Sequence, residues 1–542
     1  MRFSIALTLL SALALLASAS DGLRGLSTGF VKRSENGLHL PIHKQKASFA
    51  RRRGLTASIG LGDFVDVTYN VLLTVGGVST SVVLDTGSSD LWVISDTCTA
   101  CPKSVPHYPQ ATFQSTGLEV KLLYGDSRTG THAYGLIGKD TVDLAGLKLD
   151  DQYFAAINNT NTTVAETGSA GIFGLGFPAN SVIWNAMLAQ EREVLGGTNL
   201  GHDNTRFPNF SELFGRPGSR RRQTSAFVDA VFSSYPRIAP FLGRLISTGN
   251  ISTPMFAVTL QRDTVDVGGN AGMLSIGALP GGVKNESLTW VPVRTYSAAE
   301  HGLPPPPDSP NERYPLTWEV FIDDVYLDGQ KLPRSTLSSP SIALSALVDT
   351  GSSHLRGPAD VVQSIMDTLG MRYSCSEPHS LAFQIGGKMF PVDPRDFSSQ
   401  FYMDSVSFCT PMLMPTDPPK EGRYLYSWSL GDPFLKSVLA SYHYGNLTYP
   451  SQDPPRMGFL STVPSDANDQ MREAVKDASQ NGGNFPVLSE VAPTGAPEVT
   501  HTNANGVPEA KTTTRPKISG ATHLIPVAMI WLLAPAITLV FL

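Results

Sequence analysis

The sequence predicts an all-β protein built from two related lobes with a cleft between them. Three observations carry this prediction. The stretch Val82-Val83-Leu84-Asp85-Thr86-Gly87-Ser88-Ser89 returns 264 residues later as Ala346-Leu347-Val348-Asp349-Thr350-Gly351-Ser352-Ser353. Apolar residues alternate along Val65, Val67, Tyr69, Val71, Leu73 and Val75, the period-two pattern of a half-buried strand. A second apolar element closed by glycine also occurs twice, as Gly171-Ile172-Phe173-Gly174-Leu175-Gly176 and Trp428-Ser429-Leu430-Gly431-Asp432.

The duplicated motif carries chemistry. Each apolar run reads as a buried strand that delivers its aspartate to the strand's end. Gly87 and Gly351 let the backbone turn tightly, while Thr86, Ser88, Thr350 and Ser352 offer hydroxyls and amides to the carboxylate. A lone Asp-Thr-Gly reads as a turn cap; two copies point to a shared site. Two carboxylates within hydrogen-bond reach do not both ionise easily, so one holds a proton while the other stays charged. The charged one takes a proton from water and the neutral one donates to a carbonyl oxygen. That is general acid–base hydrolysis of an amide.

With 41% apolar and 16% charged residues, 542 residues suffice for a large core. Residues 1–19 read as a secretion signal: Arg2, an apolar stretch from Ile5 to Leu16, and the small residues Ala17-Ser18-Ala19. Residues 20–53 hold eight Lys or Arg against two acids, a balance of +6 in a chain of net charge −6. Such a basic leader is expected to lie over an acidic cleft, held by charge. It ends in Arg51-Arg52-Arg53, so a zymogen that matures near Gly54 is expected. The lobes are assigned to 54–260 and 261–463.

Between about Val65 and Leu460 the chain resembles the pepsin-like aspartic endopeptidases, in particular the secreted or glycolipid-anchored fungal kind. The resemblance rests on both Asp-Thr-Gly-Ser-Ser motifs, Leu91-Trp92-Val93, Lys121 to Asp126, both glycine-closed elements and Met457-Gly458-Phe459-Leu460. It implies the bilobal pepsin-like fold, with Asp85 and Asp349 sharing a proton and holding the attacking water. Ser88 and Ser352 are implied to bond the outer carboxylate oxygens, and Thr86 and Thr350 to tie the two loops together. Tyr124, Gly125 and Asp126 are placed in a flap over the cleft, with Trp92 bracing Tyr124 and Ile172 lining the main substrate pocket or simply packing in the core. At the flap tip Ser127-Arg128 departs from the family's glycine and small hydroxyl residue. Closing such a lid excludes water and positions the substrate.

The four cysteines are read as two disulfides, Cys98–Cys101 and Cys375–Cys409, as expected of a secreted chain and as the family implies. Six Asn-x-Ser/Thr sequons, at Asn158, Asn161, Asn209, Asn250, Asn285 and Asn446, are candidate glycosylation sites. Gly215 to Thr224 reads as a basic surface loop open to processing. The Pro304–Pro307 run reads as an exposed, extended insertion, and Asp328-Gly329 as a hairpin turn. Residues 464–520, rich in Pro, Thr, Asn, Ala and Glu, read as a disordered stalk. Leu524–Leu542 is apolar, follows Ser519-Gly520-Ala521 and has no basic flank after it, which resembles a glycolipid-anchor signal; a retained membrane span is the alternative. The expected partners are polypeptide substrates and, through that tail, a membrane. Neither nucleic acid, a metal nor a cofactor is implied, and a monomer at the cell surface is expected. The competing function is a catalytically silent surface-binding glycoprotein on the same fold.

Overall fold

The computed structural model describes residues 31–46, 67–125, 130–194, 225–260, 272–300, 302–421 and 424–485. Strands dominate, arranged in an eight-stranded, a twelve-stranded and two smaller sheets. The eight-stranded sheet forms the N-terminal lobe. In it Val67–Val75 pairs antiparallel with Val78–Asp85, and the long hairpin Gln114–Tyr124 with Thr131–Leu144 lies at the far edge. Tyr69, Val71, Leu73 and Val75 are all buried, so the alternating pattern marks one face of a strand.

The twelve-stranded sheet runs through both lobes. Met255–Thr259, Met273–Ile276, Val438–His443 and Arg456–Ser461 pair in its shared part. Thr289–Tyr296, Tyr314–Phe321, Ser345–Val348 and Trp428–Leu430 carry it into the C-terminal lobe. The expected lobe boundary at residue 260 thus falls between two strands of one sheet. The largest apolar cluster is correspondingly continuous, from Leu38 and Leu40 through Tyr69 and Leu84 to Trp318, Val348 and Phe434.

The two motifs are built alike. Gly171–Gly174 lies parallel to Val78–Asp85 and antiparallel to Leu91–Ile94. Trp428–Leu430 lies parallel to Ser345–Val348 and antiparallel to Leu355–Pro358. In both lobes an amide then crosses back to the motif's turn: Gly176 N donates to Ser88 O and Asp432 N to Ser352 O, each at 2.8 Å. This is the pseudo-twofold repeat that the duplicated sequence implies.

Four expectations change. The described part of the leader is not a cover held by charge. Leu38–Pro41 pairs with Met273–Ile276 and His43–Lys46 with Val67–Val75, and Leu38, Leu40 and Ile42 are buried. Each buried side chain of this size contributes about 1.5–3 kcal/mol, and backbone pairing adds to it. The stalk expected over 464–520 does not begin at residue 464, because Ala467–Gln480 is a helix, and residues 486–520 lie outside the described residues. Its Met471, Val475 and Ala478 pack on Tyr373, Val406 and the Cys375–Cys409 disulfide, an apolar stripe at helical spacing hidden in a polar composition. The Pro304–Pro307 run is not fully exposed: Pro304 and Pro306 are buried beside Leu303. Ser352, as shown below, does not bond Asp349.

Both expected disulfides are present, Cys98–Cys101 and Cys375–Cys409. Asp328 and Gly329 have positive φ of 48° and 78° between the paired strands Asp324–Leu327 and Gln330–Lys331, a two-residue hairpin turn. Asn158, Asn161, Asn250 and Asn285 are exposed and Asn446 is half-buried. Residues 1–19, Arg51 to Arg53, Asp126 to Arg128, Asn209, the basic loop 215–224 and the apolar C-terminal tail lie outside the described residues. Among the described residues no helix is long and apolar enough to cross a membrane.

Candidate active site

Asp85 ends its strand at the junction of the lobes, and Asp349 follows Ser345–Val348 directly opposite. The threonines after them lock the two turns together. Thr86 N donates to Thr350 Oγ1 and Thr350 N to Thr86 Oγ1, both at 3.0 Å. The Thr86 hydroxyl donates to Val348 O at 2.8 Å and the Thr350 hydroxyl to Leu84 O at 2.6 Å. Both threonines are buried. Four crossed bonds therefore satisfy groups that would otherwise be orphaned away from water.

The glycines let the carboxylates meet. A Cβ on Gly87 would stand 2.5 Å from Asp349 Oδ1, and one on Gly351 would stand 2.4 Å from Asp85 Oδ1. Each turn thus presents its bare backbone to the other lobe's carboxylate, a packing only glycine allows. The two carboxyl groups lie within hydrogen-bonding reach of each other.

Their surroundings differ. Asp85 accepts Gly87 N–H on Oδ1 at 2.8 Å and the Ser88 hydroxyl on Oδ2 at 2.5 Å. Asp349 accepts Gly351 N–H at 2.9 Å. Ser352, implied to mirror Ser88, instead donates to the carbonyl of His354 at 3.0 Å. Its hydroxyl is used within its own turn, which leaves Asp349 with fewer donors. Desolvation raises the carboxyl of Asp85, against the pull of Ser88 and the Gly87 amide. Desolvation, then the charge of Asp85, pushes Asp349 up to about 8. Donors favour the ionised form, so Asp85 holds the charge and Asp349 the proton.

Tyr124 ends the first strand of the long hairpin, and Trp92 Nε1–H donates to its hydroxyl oxygen at 2.7 Å. Burial, followed by the charges of Asp85 and Asp90, keeps that phenol protonated far above the ordinary range. Gly125 continues with φ of 81°. Ile172 is registered against both Val83 and Trp92 and belongs to the buried apolar cluster on which Tyr124 packs. It therefore supports Trp92 from the core side.

One buried carboxylate escaped the sequence reading. Asp90 accepts the Ser181 hydroxyl at 2.5 Å and the amides of Val182 and Ile183 at 2.8 and 3.2 Å. It caps the helix Val182–Val194 and ties that helix to the Asp85 turn. Burial pushes its carboxyl up to about 6. Its place just after Ser88-Ser89 was the available signal, but its partners are 91 to 93 residues away.

A family model described as "Eukaryotic aspartyl protease" matches residues 68–192 and 226–449. The chain belongs to that family. This aspartyl protease is 25% identical to the aspartic protease of Phaffia rhodozyma over 78% of its own length and 83% of that relative. It is 27% identical to rhizopuspepsin-4 of Rhizopus niveus, covering 61% of the chain and 66% of that protein. To pepsin A of Canis lupus familiaris it is 26% identical, over 73% and 84% of the two chains. Like them, the aspartyl protease is a hydrolase of the pepsin-like aspartic endopeptidase class acting on polypeptides. Among its described residues no cluster of three or more His, Cys, Asp or Glu is placed to hold a metal ion.

Proposed function

We propose that Asp85 and Asp349 are the catalytic pair, hydrolysing peptide bonds at acid pH. The observation that carries this reading is the reciprocal packing of Gly87 and Gly351 against the opposite carboxylates. Asp85, bearing the charge, takes a proton from a water whose oxygen attacks the scissile carbonyl carbon. Asp349 gives its proton to the carbonyl oxygen, and a neutral gem-diol results. Asp85 then passes its proton to the leaving nitrogen as the C–N bond breaks, and one diol hydroxyl returns a proton to Asp349. No covalent enzyme intermediate forms. Tyr124, held by Trp92, closes over the peptide, and the crossed threonines keep the carboxylates in register.

The proposal extends to the life of the chain. Residues 1–19 direct secretion, cleavage after Arg51 to Arg53 releases the mature enzyme, and the C-terminal apolar tail anchors it by lipid at the cell surface. The test is cleavage of a denatured protein at acid pH by the processed enzyme, beside Asp85→Asn. Loss of one member of an acid–base pair lowers the rate by about 10²–10⁴-fold, and pepstatin is expected to block the wild type. Wild-type-like cleavage by Asp85→Asn would assign the hydrolysis to other residues.

A further inference from the structure

Side chains of registered neighbours in a sheet point to the same face. In the C-terminal lobe one such row crosses five strands. Glu319 is registered with Leu347, Leu347 with Ser429, Ser429 with Arg356, and Arg356 with Met414. Asp349 lies two residues beyond Leu347, which brings it to the face of this row. The neighbouring row, with Val320, Ala346, Val348, Trp428, Leu430 and Leu355, is buried and apolar. Gly357 faces that second row, for a Cβ there would stand 2.6 Å from the Trp428 ring. Arg356 is consequently turned away from the core, toward the side of the sheet that bears Asp349.

Two strand spacings separate the strands of Asp349 and Arg356, about 10 Å. The Arg356 charge acts on both Asp349 and the hydroxyl of Tyr426, and the residue is partly exposed. The carboxylate of the row lies three strands from Arg356. Glu319 is wholly buried and accepts from Arg294 at 3.3 Å, from Ser345 at 2.5 Å and from Tyr296. Beside Arg356, the Ser429 hydroxyl is buried with no hydrogen-bond partner among the described residues.

We propose that Arg356 determines specificity, pairing with an acidic side chain of the peptide two or three residues from the scissile bond. The spacing follows from an extended peptide advancing about 3.3 Å per residue. A guanidinium offers a planar fork of donors that matches a carboxylate. The net negative body attracts basic segments as a whole, so this local preference is opposite to the long-range one. The inference rests on the aspartyl protease reading given above.

The experiment uses the processed protein and peptides carrying Glu, Gln or Lys at the second and third residues on either side of one scissile bond. Specificity is the ratio of kcat/KM values read within each variant, so differences in active fraction cancel. At one position Glu is expected to exceed Gln by about tenfold, as a charge-assisted hydrogen bond supplies. Arg356→Lys keeps part of that ratio, Arg356→Met brings it to about one, and Arg356→Glu turns the preference to Lys. An unchanged ratio in Arg356→Met, or a wild type that cuts all the peptides alike, overturns the assignment while leaving proteolysis standing. A wild type that cuts none of them, nor a denatured protein, removes the protease reading and this one together.

Discussion

Replacing Thr86 by valine keeps the shape of the side chain and deletes its hydroxyl. Two bonds vanish: the donation to Val348 O at 2.8 Å and the acceptance from Thr350 N–H at 3.0 Å. Thr86 is 1% exposed, so water does not replace them. Each buried group left without a partner costs about 1–3 kcal/mol. Thr86→Val is therefore expected to lose about 2–6 kcal/mol, large against the 5–15 kcal/mol of a typical native protein. Denaturant unfolding followed by tryptophan fluorescence measures the loss, with the slope checked to confirm that the transition has not changed character. Activity should fall in the fraction that stays folded, because the bonds also set the spacing of the two turns. A variant within about 0.5 kcal/mol of wild type and fully active would refute the claim that the crossed threonines hold the lobes in register.

Two further outcomes follow from the charges and from the C-terminal helix. Because the folded value of Asp349 is raised to about 8, the protein prefers its protonated form; this favourable contribution is full below the unfolded value near 4 and is lost as pH rises through about 8. Denaturation midpoints should fall between pH 4 and 8, with a shallower fall in Asp349→Asn, and hydrolysis should disappear above about pH 8; an equal slope in the variant counts against the assignment. Met471→Ala, at a fully buried position of the helix Ala467–Gln480, should cost about 2–5 kcal/mol, seen as a lower unfolding midpoint and faster nicking near residue 485, and no change would mean that the helix is not docked.

Much of the site was legible because its signals are local. Asp85, Gly87 and Ser88 sit within four residues and bond one another; a motif read along the chain captures them. The repeat around Asp349 transfers this reading to the second lobe, but repetition overstates the symmetry at Ser352, whose hydroxyl donates to His354 O in its own turn. The strand face of Tyr69 to Val75 was visible for the same local reason. What escaped the sequence depends on distant pairing. Asp90 meets its partners across more than 90 residues, and Arg356 acquires a direction only through sheet register. The leader strands looked like a charged tail since Leu38, Leu40 and Ile42 are few among many basic residues. The helix after residue 466 was masked likewise, since composition averages away a stripe of only a few buried side chains.

The crossed threonines also bear on when the enzyme comes into being. A ribosome that has finished the first lobe has made Asp85 but not its counterpart 264 residues on, and the amide of Thr86 still lacks its acceptor. The strand Trp428–Leu430, which flanks the second turn, is synthesised later still. A product truncated before Asp349 lacks the second carboxylate and the crossed bonds between Thr86 and Thr350, so on the proposed mechanism such abortive products are expected to be inert. Separately expressed halves should be silent until mixed, and recovery of cleavage on mixing would then time the docking of the lobes.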